Sequence, residues 1–182
     1  LESAGRHSSE QLEQYLGFLA FIGNLAMFTG RAILRPWRIR WDQVVKELQA
    51  AGINALPIVG LLTFLIGIVI AYQGGMVLRD YGANLYVADI VGLSMVRELA
   101  PLITAIIVAG RTGSAYTAQI GTMMVTEEVD ALRSMGISPL EMLVLPKLIA
   151  LLIALPLLTV FADALGLFGG LIMANAMLDL NP

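Results

Sequence analysis

Cysteine is absent from this 182-residue chain, and histidine occurs once, at His7 in a polar stretch. The first absence excludes disulfides and Cys-ligated zinc or iron–sulfur centres. A single histidine in a polar tail leaves no Ser–His–Asp or Cys–His set for nucleophilic catalysis, and no metal site is expected. Charge is scarce too. Asp, Glu, Lys and Arg make up 14% of the residues, against about 25% in soluble domains. The net charge of −3 gives no reason to expect nucleic acid as a partner. No lysine occurs between Lys46 and Lys147. Gly110-Arg-Thr-Gly-Ser114 therefore fails as a phosphate loop, which needs a Gly-Lys-Ser/Thr ending after a strand. The expectation is a chain with no cofactor, no nucleotide site of its own and no enzymatic chemistry.

Apolar residues, by contrast, are abundant: 58% of the chain, with a mean hydropathy of +0.80. That is the composition of a membrane protein. No secretory signal pattern opens the sequence. It begins with Leu1 and stops at Pro182 just after an apolar run, so it is expected to be a piece of a longer protein. Residues 1–14 are polar and expected to be a tail or linker. Residues 15–182 are expected to form one membrane domain. No internal repeat of 20–50 residues and no low-complexity segment is present.

The apolar stretch 15–29 is shorter than the roughly 20 residues a span needs. Basic residues follow it at once (Arg31, Arg35, Arg38, Arg40, Lys46), with Trp37 and Trp41 among them. Tryptophan with arginine favours the headgroup level, so an interfacial N-terminal helix is predicted. A polar helical bridge follows at 42–51. The first span is predicted at 53–78, with Gln73 marking the helix end or facing a cavity. The second is predicted from 87 through 110, its helix running on toward Met124. The third is predicted at 142–177, with Pro146, Pro156 and Gly166, Gly169 and Gly170 as kinks or close contacts. Ala109, Gly113, Ala118 and Gly121 would let another helix approach the second span closely. The fold class is thus all-α, a polytopic membrane protein with an interfacial helix, three long transmembrane helices and a short cytoplasmic coupling helix. Basic residues concentrate before the first span, five between Arg31 and Lys46, which predicts a cytoplasmic N-terminus. Alternation then puts the insert between the second and third spans on the cytoplasmic side.

Four polar features stand out. Arg97 and Glu98 lie inside the second span, where each charge costs at least about 2.5–3.5 kcal/mol. Neighbours at i and i+1 point to different sides of a helix, so each needs a partner or water. Two readings stay open, an ion-pair network that fixes packing and a polar lining for a substrate headgroup. Pro101 is expected to weaken the ladder at the Arg97 carbonyl. Asp163 in the third span reads as an interhelical acceptor or part of a polar path, and Lys147 as a lysine snorkelling to the interface. The insert 126–141 carries Glu127, Glu128, Asp130, Arg133 and Glu141 beside an apolar stripe of Val129, Leu132 and Met135. Thr126 is a possible cap, and Gly136 with Pro139 a stop signal. Such a helix suits a groove on a soluble partner, although a solvated connector has the same pattern.

The stretches Gly67-Ile-Val-Ile-Ala-Tyr-Gln-Gly74, Val96-Arg-Glu-Leu-Ala-Pro101, Ala109-Gly-Arg-Thr-Gly-Ser-Ala-Tyr-Thr-Ala-Gln-Ile-Gly121, Thr126-Glu-Glu-Val-Asp-Ala-Leu132, Leu145-Pro146 and Pro156-Leu-Leu-Thr159 resemble the MlaE-type (YrbE-like) permeases. These are the membrane subunits of ABC transporters that work with MCE proteins on lipids. The resemblance covers roughly residues 15–180. It implies half of a homodimer, a cytoplasmic ABC ATPase bound through a coupling helix, an MCE-domain protein above, and in some relatives a STAS-like domain before the permease. It implies phospholipid moved between the inner membrane and the outer envelope, a multi-pass location in the bacterial inner membrane, and about two further helices after residue 182. Carried over by position, substrate-binding residues would be Ile70, Gln73, Val77, Leu78, Tyr81, Arg97 and Glu98. Coupling residues would be Glu127, Glu128, Asp130, Leu132, Arg133 and Gly136. The Glu-Ala-Ala of older import-permease coupling motifs does not align. The alternative from another class is a stand-alone secondary transporter or channel using Arg97, Glu98 and Asp163 as an ion relay.

Overall fold

The computed structural model describes residues 2–34, 40–80 and 87–178. Every regular element among them is helical. Helix α1 spans Glu2–Leu34, so the polar opening residues form its first turns. Its apolar segment leaves Tyr15, Leu16, Phe18 and Leu19 all more than half exposed, as a helix bathed in lipid would. Trp37, Arg35 and Arg38 of the predicted interfacial cluster lie outside the described residues.

Helices α2 (Trp41–Ala51) and α3 (Leu56–Asp80) are joined by one tight 3₁₀ turn, Ile53–Ala55. The cause is local. Pro57 has no N–H to offer the Ile53 carbonyl and its ring crowds that turn. The chain tightens instead, with Ala55 and Leu56 both donating to the Gly52 carbonyl at 2.9 and 3.2 Å. The helix then continues past Gln73, which therefore does not mark its end.

The second span is one long helix interrupted twice. It comprises α4 (Val87–Ser94), a π-helical turn Met95–Leu99, α5 (Ala100–Ile107), a second π turn Val108–Thr112, and α6 (Gly113–Val125). Pro101 accounts for the first π turn. It cannot donate to the Arg97 carbonyl, and the ladder widens so that the Ala100 N–H reaches the Met95 carbonyl. The insert between the second and third spans contains α7 (Glu128–Ser134). A third π turn, Leu140–Val144, leads into α8 (Leu145–Leu178). Pro146 has no N–H for the Met142 carbonyl, and it follows the third π turn as Pro101 follows the first, the Leu145 N–H reaching the Leu140 carbonyl.

Three stretches, Trp41–Leu78, Ala88–Val125 and Leu140–Ala176, are long and apolar enough to cross a membrane. Helices α3 and α8 share the most extensive contact. Its basis is a stripe of small residues at four-residue spacing on each: Ala55, Val59, Thr63, Gly67 and Ala71 against Ala150, Ala154, Leu158, Ala162 and Gly166, all buried. A β-carbon added at Gly67 would lie 2.0 Å from the Gly166 carbonyl oxygen, and one at Gly169 2.3 Å from that of Phe64. Backbone meets backbone here, which is how membrane helices gain van der Waals contact where lipid offers no hydrophobic drive. Buried Thr63 returns its hydroxyl to the Val59 carbonyl at 2.8 Å, so it adds no unmet polar group.

Among the described residues no helix makes the close approach that Ala109, Gly113, Ala118 and Gly121 would allow. A β-carbon at Gly113 or Gly121 meets nothing within 4 Å, and Ala109 and Ala118 are exposed. The four small residues lie on or beside the open side of the second span, because α8 packs against α4 and α5 more than against α6.

Candidate functional site

The charged pair sits on the first π turn. Met95 in that turn is fully buried, against Ala71 and Val91. Arg97 and Glu98 point away from this core and are exposed. Among the described residues neither makes a hydrogen bond or ion pair. The three spans therefore do not bury the pair in a network of their own. At mid-membrane such charges need water or a further protein surface over them.

The residues carried over as a lipid pocket divide. Ile70 and Leu78 pack against the Ala71–Val91–Met95 cluster, on the inner side of the π turn. Gln73 and Val77 are exposed on α3. Tyr81 lies outside the described residues. The outer half of α3 and the charged turn are thus brought together through Met95, while the polar members face outward.

About 28 residues of helix, roughly 42 Å at 1.5 Å per residue, separate Glu98 from the insert. That insert is a compact cap. Glu127 turns the chain in the left-handed region at φ 59°. Thr126 does not cap α7. Its hydroxyl donates to the Thr122 carbonyl at 3.0 Å and to Glu128 Oε1 at 3.2 Å. Helix α7 ends on Gly136 at φ +74°. The Gly136 N–H donates to Arg133 and the Ile137 N–H to Leu132, both at 3.0 Å, which is the Schellman stop that favours glycine. Val129 is buried and Leu132 half-buried; Glu127, Glu128, Asp130 and Arg133 are exposed. Arg133 pairs with Asp130 at 3.2 Å, but both side chains are about two-thirds exposed, so the pair adds little stability. Met124, Val125 and Met135 project into solvent around it. The insert thus offers an acidic rim with apolar knobs.

Two polar ties went unread in the sequence. Arg111 sits inside the second span and donates to the Asn54 carbonyl at the broken turn between α2 and α3. Lys147 is not a snorkelling lysine. It is 6% exposed, donates to Gln119 Oε1, stands 3.7 Å from Glu47 Oε1 and lies 4.4 Å above the Tyr116 ring. Its partners come from α2 and α6, far off in sequence, and only the tertiary fold assembles them. Asp163 is half-buried on α8, with Oδ1 enclosed and without a hydrogen-bond partner among the described residues. A cleft of about 180 Å³, lined by Arg40, Gln43, Ile137 and Glu141 among others, opens where the insert returns to the bundle. No cluster of His, Cys, Asp or Glu suited to a metal occurs among the described residues.

The sequence matches a family described as Permease MlaE over residues 44–182. The chain belongs to the MlaE permease family. It is 37% identical over 163 residues to a probable ABC transporter permease protein of Rickettsia bellii, covering 88% of this chain and 62% of that one. It is 35% identical over 160 residues to the intermembrane phospholipid transport system permease protein MlaE of Haemophilus influenzae, covering 87% and 61%. A more distant relative is the chloroplastic protein TRIGALACTOSYLDIACYLGLYCEROL 1 of Arabidopsis thaliana, 31% identical, covering 87% and 46%. The chain spans about three-fifths of the length of the first two relatives.

Proposed function

We propose that this chain is part of the permease subunit of an ABC transporter that moves phospholipid between the inner membrane and the outer envelope. ATP is hydrolysed by a separate cytoplasmic ATPase, which grips the insert around α7. The observation that carries the reading is the exposed acidic insert of an MlaE-family chain, held by a left-handed turn at one end and a glycine stop at the other. Its rim residues Glu127, Glu128, Asp130 and Arg133, with half-buried Leu132 and the Gly136 stop, form the docking surface. The name of the Haemophilus influenzae relative supports phospholipid as the cargo.

In this reading the outward-facing Arg97 and Glu98 are covered by a second copy of the permease, by helices beyond residue 182, or by a water-filled lipid cavity. Ile70, Gln73, Val77, Leu78 and Tyr81 line that cavity, acyl chains lying on the apolar members and the headgroup near the polar ones. An MCE-domain protein receives or delivers the lipid, a STAS-domain protein is a further possible partner, and the N-terminus is cytoplasmic. Charge reversal of Glu127, Glu128 and Asp130 together should strip the ATPase from the purified full-length permease. Undiminished co-purification would remove the insert from the coupling role.

A further inference from the structure

We infer that Lys147 is a positioning residue that clamps the two stems of the cytoplasmic insert to each other and to α2, so that movement of the insert reaches the spans as one body. This rests on the coupling role proposed for the insert. The insert has two stems, α6 before it and α8 after it. Gln119 and Tyr116 lie on the first, and Lys147 on the second. Glu47 belongs to α2, which leads through the Gly52–Ala55 break into the first span. One ammonium group touches all three: it donates to Gln119, faces Glu47 at 3.7 Å and rests 4.4 Å over the Tyr116 ring.

Burial makes the arrangement consequential. Lys147 is 6% exposed and the Glu47 side chain 20% exposed. An ammonium that stays buried but loses a partner is left as an uncompensated charge, so Gln119, Glu47 and the Tyr116 ring are held around it as a set. Packing holds α6 only loosely: Tyr116, Ile120 and Met123 are half-buried and none of its residues is fully buried. Polar contacts add to it, Lys147 with Gln119 on α6 and, just before α6, Arg111 with the Asn54 carbonyl. Together they join the second span to α2 and to the break that follows it.

The test uses the full-length permease in its complex, reconstituted in nanodiscs of phosphatidylethanolamine and phosphatidylglycerol. Spin labels at Val125→Cys and Glu141→Cys, in a full-length permease freed of any other cysteine, report the spacing of the stems. Fluorescently labelled phosphatidylglycerol reports transfer per ATP hydrolysed. Lys147→Met should broaden the spacing and cut transfer per ATP about fivefold or more, while Lys147→Arg should keep both within about twofold. Glu47→Gln should shift both in the direction of Lys147→Met without altering core volume, and exposed Lys46→Met should leave both unchanged. A narrow spacing and wild-type transfer per ATP in Lys147→Met would overturn the clamp. So would a Lys147→Arg variant as impaired as Lys147→Met, since tight packing rather than charge would then be at work. Failure of the wild-type permease to hold an ATPase would sink the coupling proposal instead, and the label spacing would still decide the clamp.

Discussion

Replacing Gly67 by alanine should be among the most damaging single-methyl additions in the membrane part of the fold. The new β-carbon would lie 2.0 Å from the Gly166 carbonyl oxygen, 2.9 Å from its carbon and 3.1 Å from the Gly170 nitrogen. All three are backbone atoms, so no side chain can swing away. Restoring ordinary contact near 3.4 Å requires α3 and α8 to part by more than an ångström. A gap of 0.5–1 Å already forfeits about a quarter to a half of each dispersion contact, and the loss spreads along the whole stripe. Overpacking of this kind costs about 1–3 kcal/mol. Alanine's better helix propensity returns up to about 1 kcal/mol; with backbone atoms on both sides the overpacking falls at the upper end of its range, leaving a net loss of up to about 2 kcal/mol, where about 1.4 kcal/mol is already a tenfold shift in the unfolding equilibrium. Gly74→Ala is the matched control, two turns along the same helix, where an added β-carbon meets nothing within 4 Å. It should be neutral or slightly stabilising. Apparent melting temperatures of the full-length permease in detergent, read by fluorescence-detected size exclusion, compare the two. Equal melting temperatures would refute the close α3–α8 packing.

Further outcomes follow from the insert and the polar ties. Gly136→Ala puts a side chain into the left-handed region at φ +74°; about 1–2 kcal/mol of local strain should fray the end of α7 and weaken ATPase co-purification, while the melting temperature of the spans stays put. Arg111→Met removes the donor to the Asn54 carbonyl and should lower thermal stability by about 1 kcal/mol, measured in the same melting assay. Asp163→Asn keeps shape and removes a half-buried carboxylate whose enclosed oxygen has no partner among the described residues. It should leave stability unchanged or raise it by about 1 kcal/mol and leave lipid transfer intact. An ion relay through Asp163 would instead lose transport altogether.

The three spans were legible because each is an apolar run too long for anything but a membrane helix. The insert was legible because acidic residues and a Gly-Ile-Ser-Pro stop interrupt those runs. Pro101 announced a weakened ladder at Arg97, but not that the ladder would widen into a π turn. Both outcomes follow from the same missing N–H, and tertiary packing of Met95 goes with the second. The glycine contact between α3 and α8 was half legible. Gly166, Gly169 and Gly170 suggest close approach, but nothing around Gly67 points to them, since a glycine's partner in a distant helix leaves no local trace. Lys147 was misread for the same reason. Beside the apolar start of α8 it looks like a residue reaching for water, and only the fold brings Glu47, Tyr116 and Gln119 around it. For the outward face carrying Arg97 and Glu98, sequence periodicity could not help, because adjacent residues take different sides of a helix whichever side is covered.

The central claim is tested most directly by lipid transfer with the purified full-length permease in nanodiscs, with and without its ATPase and ATP. The account predicts labelled phosphatidylglycerol transfer that requires both, and that falls when Glu127, Glu128 and Asp130 are reversed in charge. Transport driven by a proton or sodium gradient with no ATPase present would contradict it.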